Sequence, residues 1–169
     1  MSSHTLLTSL LQYKAWANAE LFAEVSKIDP HTQGAELHAA LRILNHIYVV
    51  ERIFAANLQG LAHAYRATNT EQTPTLERLQ FDVQHMDRWY LEYVATLSHE
   101  QLAERLHFQF TDGDSGLMSR EEILLHLHTH GSYHRGAVGR VLLQAQVTPP
   151  RDGYARFLHE QQPQRRPLR

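Results

Sequence analysis

Through four long stretches of this chain apolar residues recur at steps of three and four, and they alternate in only one short segment, so the fold is confined to packed helices. The first stretch runs from about Ser3 to Ser26, with Leu6, Leu10, Tyr13, Ala17 and Leu21 on one stripe, and ends before Asp29-Pro30. The second covers roughly Gln33 to Gln59, carries Ile43, Ile47, Val50 and Phe54 on one face, and stops at Gly60, a residue suited to a left-handed helix end. A polar connection without a period follows to Thr73. Thr73 is then the expected N-cap of the third helix, with Pro74 at its first position and Leu76, Leu79, Val83, Met86, Tyr90, Tyr93 and Leu97 along it. Leu106, Phe108 and Phe110 do alternate, and they run into Asp112-Gly113-Asp114-Ser115-Gly116, which reads as a short hairpin or extended loop. The capping box Ser119 to Glu122 opens the fourth helix, which continues to about Ala145. The expectation is an all-α four-helix bundle over residues 1–148, followed by a packed-on segment at 149–169 that frays into a disordered tail.

A chain of 169 residues is long enough for one domain with a real core. Its net charge of −2 gives no reason to expect a polyanion partner, so nucleic acid is not expected. The N-terminal residues have no basic run before the apolar Leu6 to Leu11, and no uninterrupted apolar stretch could span a bilayer; a cytoplasmic protein with no membrane partner is expected. Cysteine is absent, which removes disulfides, thiolate ligands and a cysteine nucleophile and leaves histidine and carboxylate as the metal-binding vocabulary.

His130 and His134 stand one turn apart on the fourth helix. At about 100° per residue they fall about 20° to either side of Ile123, in the same arc as Leu127 and Val141. Two stacked imidazoles facing a core need several hydrogen-bond partners in a small volume, and a shared cation answers that need at once. A chain with 13 histidines will hold some i,i+4 pair by accident, so the apolar position is what singles this one out. A catalytic site usually takes three protein ligands and leaves one position open, and His46, on the buried edge of the second helix beside Val50 and Ile53, is the best third ligand. His126, one turn before His130, is a fourth ligand or a neighbour of the site; His128 points to solvent. Gly113 and Gly116 lack the context of a phosphate loop, and Trp16 and Trp89 read as core or rim aromatics.

Four segments in order, Tyr13 to Asn18, Asn45 to Ile53, His130 to Gly136 and Pro149-Pro150, make the chain resemble the DinB/YfiT-like superfamily of metalloenzymes over nearly its whole length. The resemblance implies an up-down-down-up bundle, often a homodimer, with a divalent metal held by three histidines that map onto His46, His130 and His134. The family takes its name from DNA-damage induction in bacteria and shares it with an unrelated DNA polymerase, whose chemistry nothing here supports. Relatives in the wider superfamily include transferases that conjugate small thiols to electrophiles, a thiol-dependent isomerase and metal-dependent hydrolases. Where many relatives carry aspartate, five residues after the first ligand, this chain has Glu51, well round the helix from His46.

Three imidazoles leave a divalent ion its full charge, so a thiol or water on it would become a nucleophile near neutral pH. With no cysteine in the chain, any sulfur must come from a small thiol cosubstrate. Zinc and nickel suit such ligands first, and iron, manganese and copper also fit. No catalytic side chain is assigned; Tyr48, Tyr133 and Glu51 are the general-base candidates. The competing expectations are a thiol transferase or hydrolase, a non-catalytic metal-binding stress protein, and a helical interaction module without metal.

Overall fold

In a computed structural model that describes residues 2–166, the chain is mostly helical, with one small sheet. The elements are α1 (Ser3–Val25), α2 (Gly34–Gln59), α3 (Leu76–Ala95), the short α4 (His99–Ala103), strands β1 (Arg105–Gln109) and β2 (Ser115–Ser119), α5 (Arg120–Gln144) and α6 (Tyr154–Gln161), with a 3-10 turn at Pro163–Arg165. Residues 167–169, the end of the expected tail, lie outside the described residues. No helix among those described is long and apolar enough to cross a membrane.

Each of the four long helices packs against two others, α1 on α3 and α5, and α2 on α3 and α5. Local signals fix their ends. Gly60 takes φ 67° after α2, the conformation glycine adopts without a Cβ penalty. Ser119 caps α5 in a complete capping box with Glu122, worth about 1 kcal/mol. The cap of α3 is Thr75, whose hydroxyl accepts from the Arg78 amide, rather than the expected Thr73. Two threonines flank Pro74, and both are acceptable caps on residue type alone.

The alternating segment forms an antiparallel hairpin with Phe108 opposite Gly116, where a Cβ would stand 2.5 Å from the Phe108 ring. Phe108 packs edge-on to Phe54, which seats the hairpin on α2. Short α4, absent from the periodicity reading, is held by its own capping box, Ser98 with Gln101. At the C-terminal end α6 docks on α1. Phe157 is buried against Tyr13 and Ala17, while Arg156 lies over Trp16 and binds both oxygens of Glu20 at 2.8 and 2.9 Å.

Of the expected α1 stripe Tyr13, Ala17 and Leu21 are buried, but a further buried stripe lies one residue on from Leu6 and Leu10. It runs Leu7, Leu11, Lys14, Asn18, Leu21, Val25, a regular alternation of four- and three-residue steps, while Leu6 is 42% exposed. Lys14 and Asn18 therefore occupy core positions. They belong to a polar layer that separates one apolar cluster around Phe22, Leu44 and Val138 from another around Leu11, Phe54 and Leu127. Within it, Lys14 Nζ meets Glu51 Oε1 at 2.7 Å and Asp87 Oδ1 at 2.5 Å, Asn18 donates to both Asp87 oxygens, and Tyr90 donates to the Glu51 carbonyl at 2.6 Å. Burial pushes the Lys14 ammonium down, but the two carboxylates outweigh it and hold the ammonium above its ordinary value.

Candidate functional site

The histidines gather where α2 packs against α5. One ring nitrogen from each of His46, His130 and His134 lies within 4.8 Å of the others. His46 Nε2 and His130 Nε2 are 3.1 Å apart, and the His134 ring stands 4.6 Å from that of His46 and 4.5 Å from that of His130, centroid to centroid. All three sit on arcs facing the neighbouring helix, because each occupies an apolar stripe position one turn from core residues such as Val50, Leu127 and Val138.

The His46 ring is oriented from behind. Its Nδ1 lies 2.7 Å from the carbonyl oxygen of Thr68, which can only accept, so Nδ1 carries the hydrogen and Nε2 keeps its lone pair toward the other rings. Thr68 is itself held in place by a lashing of the connection to α2. Asn69 accepts from Asn45 and donates to the Arg42 carbonyl, Asn45 also donates to the Thr70 hydroxyl, and Arg42 donates to the Thr70 carbonyl at 2.6 Å. From residue types this connection reads only as a polar stretch without a period. A backbone carbonyl leaves no residue-type signature, although the cluster Asn69-Thr70 was the kind of side-chain-to-backbone signal that could have marked it.

Burial pushes the His130 ring down to about 3, with the neighbouring His134, His46 and His126 rings adding to it; burial lowers His134 and His126 as well. The His130 Nδ1 is buried without a partner. Its folded pKa is depressed, so between about pH 6.5 and 3 the unfolded chain takes up a proton that the folded chain refuses, and stability falls as pH drops through that window. The melting temperature of metal-free protein is expected to decline steadily from pH 7.5 to 4.5; a flat profile would contradict a His130 ring held neutral by burial.

These features match a divalent ion. Two nitrogens each about 2.0–2.1 Å from one ion stand about 2.9–3.4 Å apart for octahedral to tetrahedral angles, and the observed 3.1 Å falls inside that span. Neutral rings need not shed protons to become ligands, and a carbonyl behind one of them is the usual outer support of a metal-binding histidine.

Other candidates fall outside the trio. The ring of His126 stands between those of His130, at 5.5 Å, and Phe54, at 5.3 Å, and is not one of the converging donors. His128 does not face solvent: it is half-buried, 5.5 Å from the Tyr13 ring, because α5 is covered by α1 on one flank as well as by α2 on the other. Glu51 is bound to Lys14 and touches no imidazole, Tyr48 bonds to Arg52, and only Tyr133 reaches the site, its ring edge-on to His134 at 5.1 Å.

A mostly helical protein in which two helices bring three imidazoles together holds a candidate metal-binding site. The family model for the DinB family matches residues 1–166, and the chain belongs to that family. It is 26% identical to Protein DinB of Bacillus subtilis (strain 168) over 164 residues, a match that covers 88% of this chain and 91% of that protein.

Proposed function

We propose that this protein is an up-down-down-up four-helix bundle that holds a divalent metal ion, zinc or nickel first, through His46, His130 and His134, and that it is a metal-dependent enzyme delivering a small thiol or water to an electrophile. The observation that carries this reading is the approach of three imidazoles within 4.8 Å, one of them braced by the Thr68 carbonyl. Bound there, the ion would supply Lewis acidity, lowering the pKa of a thiol or water enough to make it a nucleophile near neutral pH. The chain does the remainder. Its three uncharged donors leave the ion's charge uncompensated, burial keeps His130 unprotonated, and the lashed connection fixes the angle of His46. Tyr133, 78% exposed and edge-on to His134, stands at the rim where it can contact an incoming substrate. Since the chain has no cysteine, the sulfur of a thiol reaction must arrive with a cosubstrate. The same reading takes residues 1–148 as the bundle domain, 149–169 as an appended segment, and a homodimer as the assembly.

A second reading has its own support. Of the three general-base candidates, Glu51 is committed to Lys14 and Tyr48 to Arg52, and Tyr133 alone stands beside the histidines, which favours a metal-binding stress protein without catalysis. Zinc- or nickel-loaded protein incubated with a panel of small thiols and 1-chloro-2,4-dinitrobenzene separates the two. Thiol-dependent turnover that disappears in His134→Ala is the expected result. Turnover unchanged by that substitution rules out the metal-dependent enzyme, and metal-induced stabilisation without turnover against any thiol leaves the second reading.

A further inference from the structure

On the side of α2 opposite His46, about 200° round for Tyr48 and about 240° for Arg52, α2 and α3 part to leave a groove. Its volume is about 740 Å³, within the roughly 300–1,000 Å³ of small-molecule sites. The connection closes one wall through Leu61 to Tyr65, and none of the three clustered histidines lines it.

Its lining combines rings with one uncommitted charge. Tyr48, Tyr65, Phe81 and Trp89 supply aromatic walls, with Phe81 54% exposed at the rim. Arg52 lies 6.0 Å over the Tyr48 ring and donates to its hydroxyl at 3.2 Å, so the guanidinium is oriented while most of its donors stay free. Asp82, the acid on the lining, is engaged by Arg78 at 2.8 Å, and Arg52 has no carboxylate within ion-pair distance among the described residues. The groove therefore presents one guanidinium that no carboxylate among the described residues pairs, against an aromatic floor.

We propose that this groove is a binding site, separate from the histidine cluster, for a small amphipathic anion: an aromatic or apolar body rests on the rings, and a carboxylate, sulfonate or phosphate group takes the Arg52 fork. The inference does not depend on a metal at the histidines. The fluorescent aryl sulfonate 1-anilinonaphthalene-8-sulfonate tests it, beside N-phenyl-1-naphthylamine, which has the same body and no charge. The sulfonate is expected to bind full-length protein saturably at one site per chain and to weaken at least tenfold in Arg52→Gln, the neutral probe binding both proteins within twofold. Arg105→Gln, at an exposed position on β1, serves as the charge control and should change neither. Four results overturn the proposal: no saturable site, equal affinity in wild type and Arg52→Gln, equal loss in Arg105→Gln, or a sedimentation profile in which a second copy covers the groove and Arg52→Gln releases it.

Discussion

His130→Ala is expected to weaken zinc or nickel binding by at least a hundredfold, because structural zinc draws about 10–16 kcal/mol from its ligands together and one of three donors is gone. Thermal unfolding reads the same change. Ligand at a thousand times its dissociation constant stabilises the folded state by about 4 kcal/mol, which for a chain of this length raises the melting temperature by about 10 °C. That rise should be present in wild type and fall to about a third or less in the variant. The metal-free proteins make a second comparison. Wild type must keep His130 neutral while the unfolded chain protonates it, so its loss of melting temperature between pH 7 and 5 should exceed that of His130→Ala. An unchanged metal-induced shift in the variant would mean the ion sits elsewhere; an unchanged pH dependence would mean the ring is not desolvated.

The trio was legible because His46, His130 and His134 each fall on an apolar stripe, and a helix's period converts sequence position directly into direction. Chain position alone could not say that the two stripes meet, which depends on α2 packing against α5. The motif resemblance anticipated the family, and the segment ends at Gly60 and Ser119 were readable because their backbone chemistry is local. What escaped was the polar layer. A stripe drawn through apolar residues alone starts α1 at Leu6 and Leu10, whereas Leu7, Leu11, Leu21 and Val25 keep one register once Lys14 and Asn18 are admitted to it. Glu51 sits likewise on the stripe Leu44, Ile47, Ala55, Leu58, and Asp87 beside Met86 between Val83 and Tyr90. Charges of both signs at core positions on three helices were a signal of a buried ion cluster. Hydrophobicity patterns discard such positions, because they score each residue without the partner that makes its burial tolerable.

Lys14→Met is expected to be the most destabilising single change in the chain. The ammonium is the partner of two carboxylates, Glu51 at 1% and Asp87 at 6% exposure, and removing it leaves both charges buried without a cation. Breaking such a buried group from one side costs about 3–5 kcal/mol, which for a chain of this size lowers the melting temperature by roughly 10 °C or more. Methionine matches the length of the lysine stem, so lost packing contributes little. If unpaired charge is the cause, neutralising the partners should reverse it: Lys14→Met combined with Glu51→Gln and Asp87→Asn should recover more than half the lost stability, with Asn18 still able to donate to the amide at 87. Failure of the triple variant to recover would place the cost in packing instead. Metal affinity separates the Lys14 cluster from the histidines. No member of the Lys14 cluster bonds to an imidazole, so folded Lys14→Met should bind zinc or nickel within about tenfold of wild type while His130→Ala does not. On that outcome the Tyr13 to Asn18 segment serves the fold, and the histidines on α2 and α5 serve the ion.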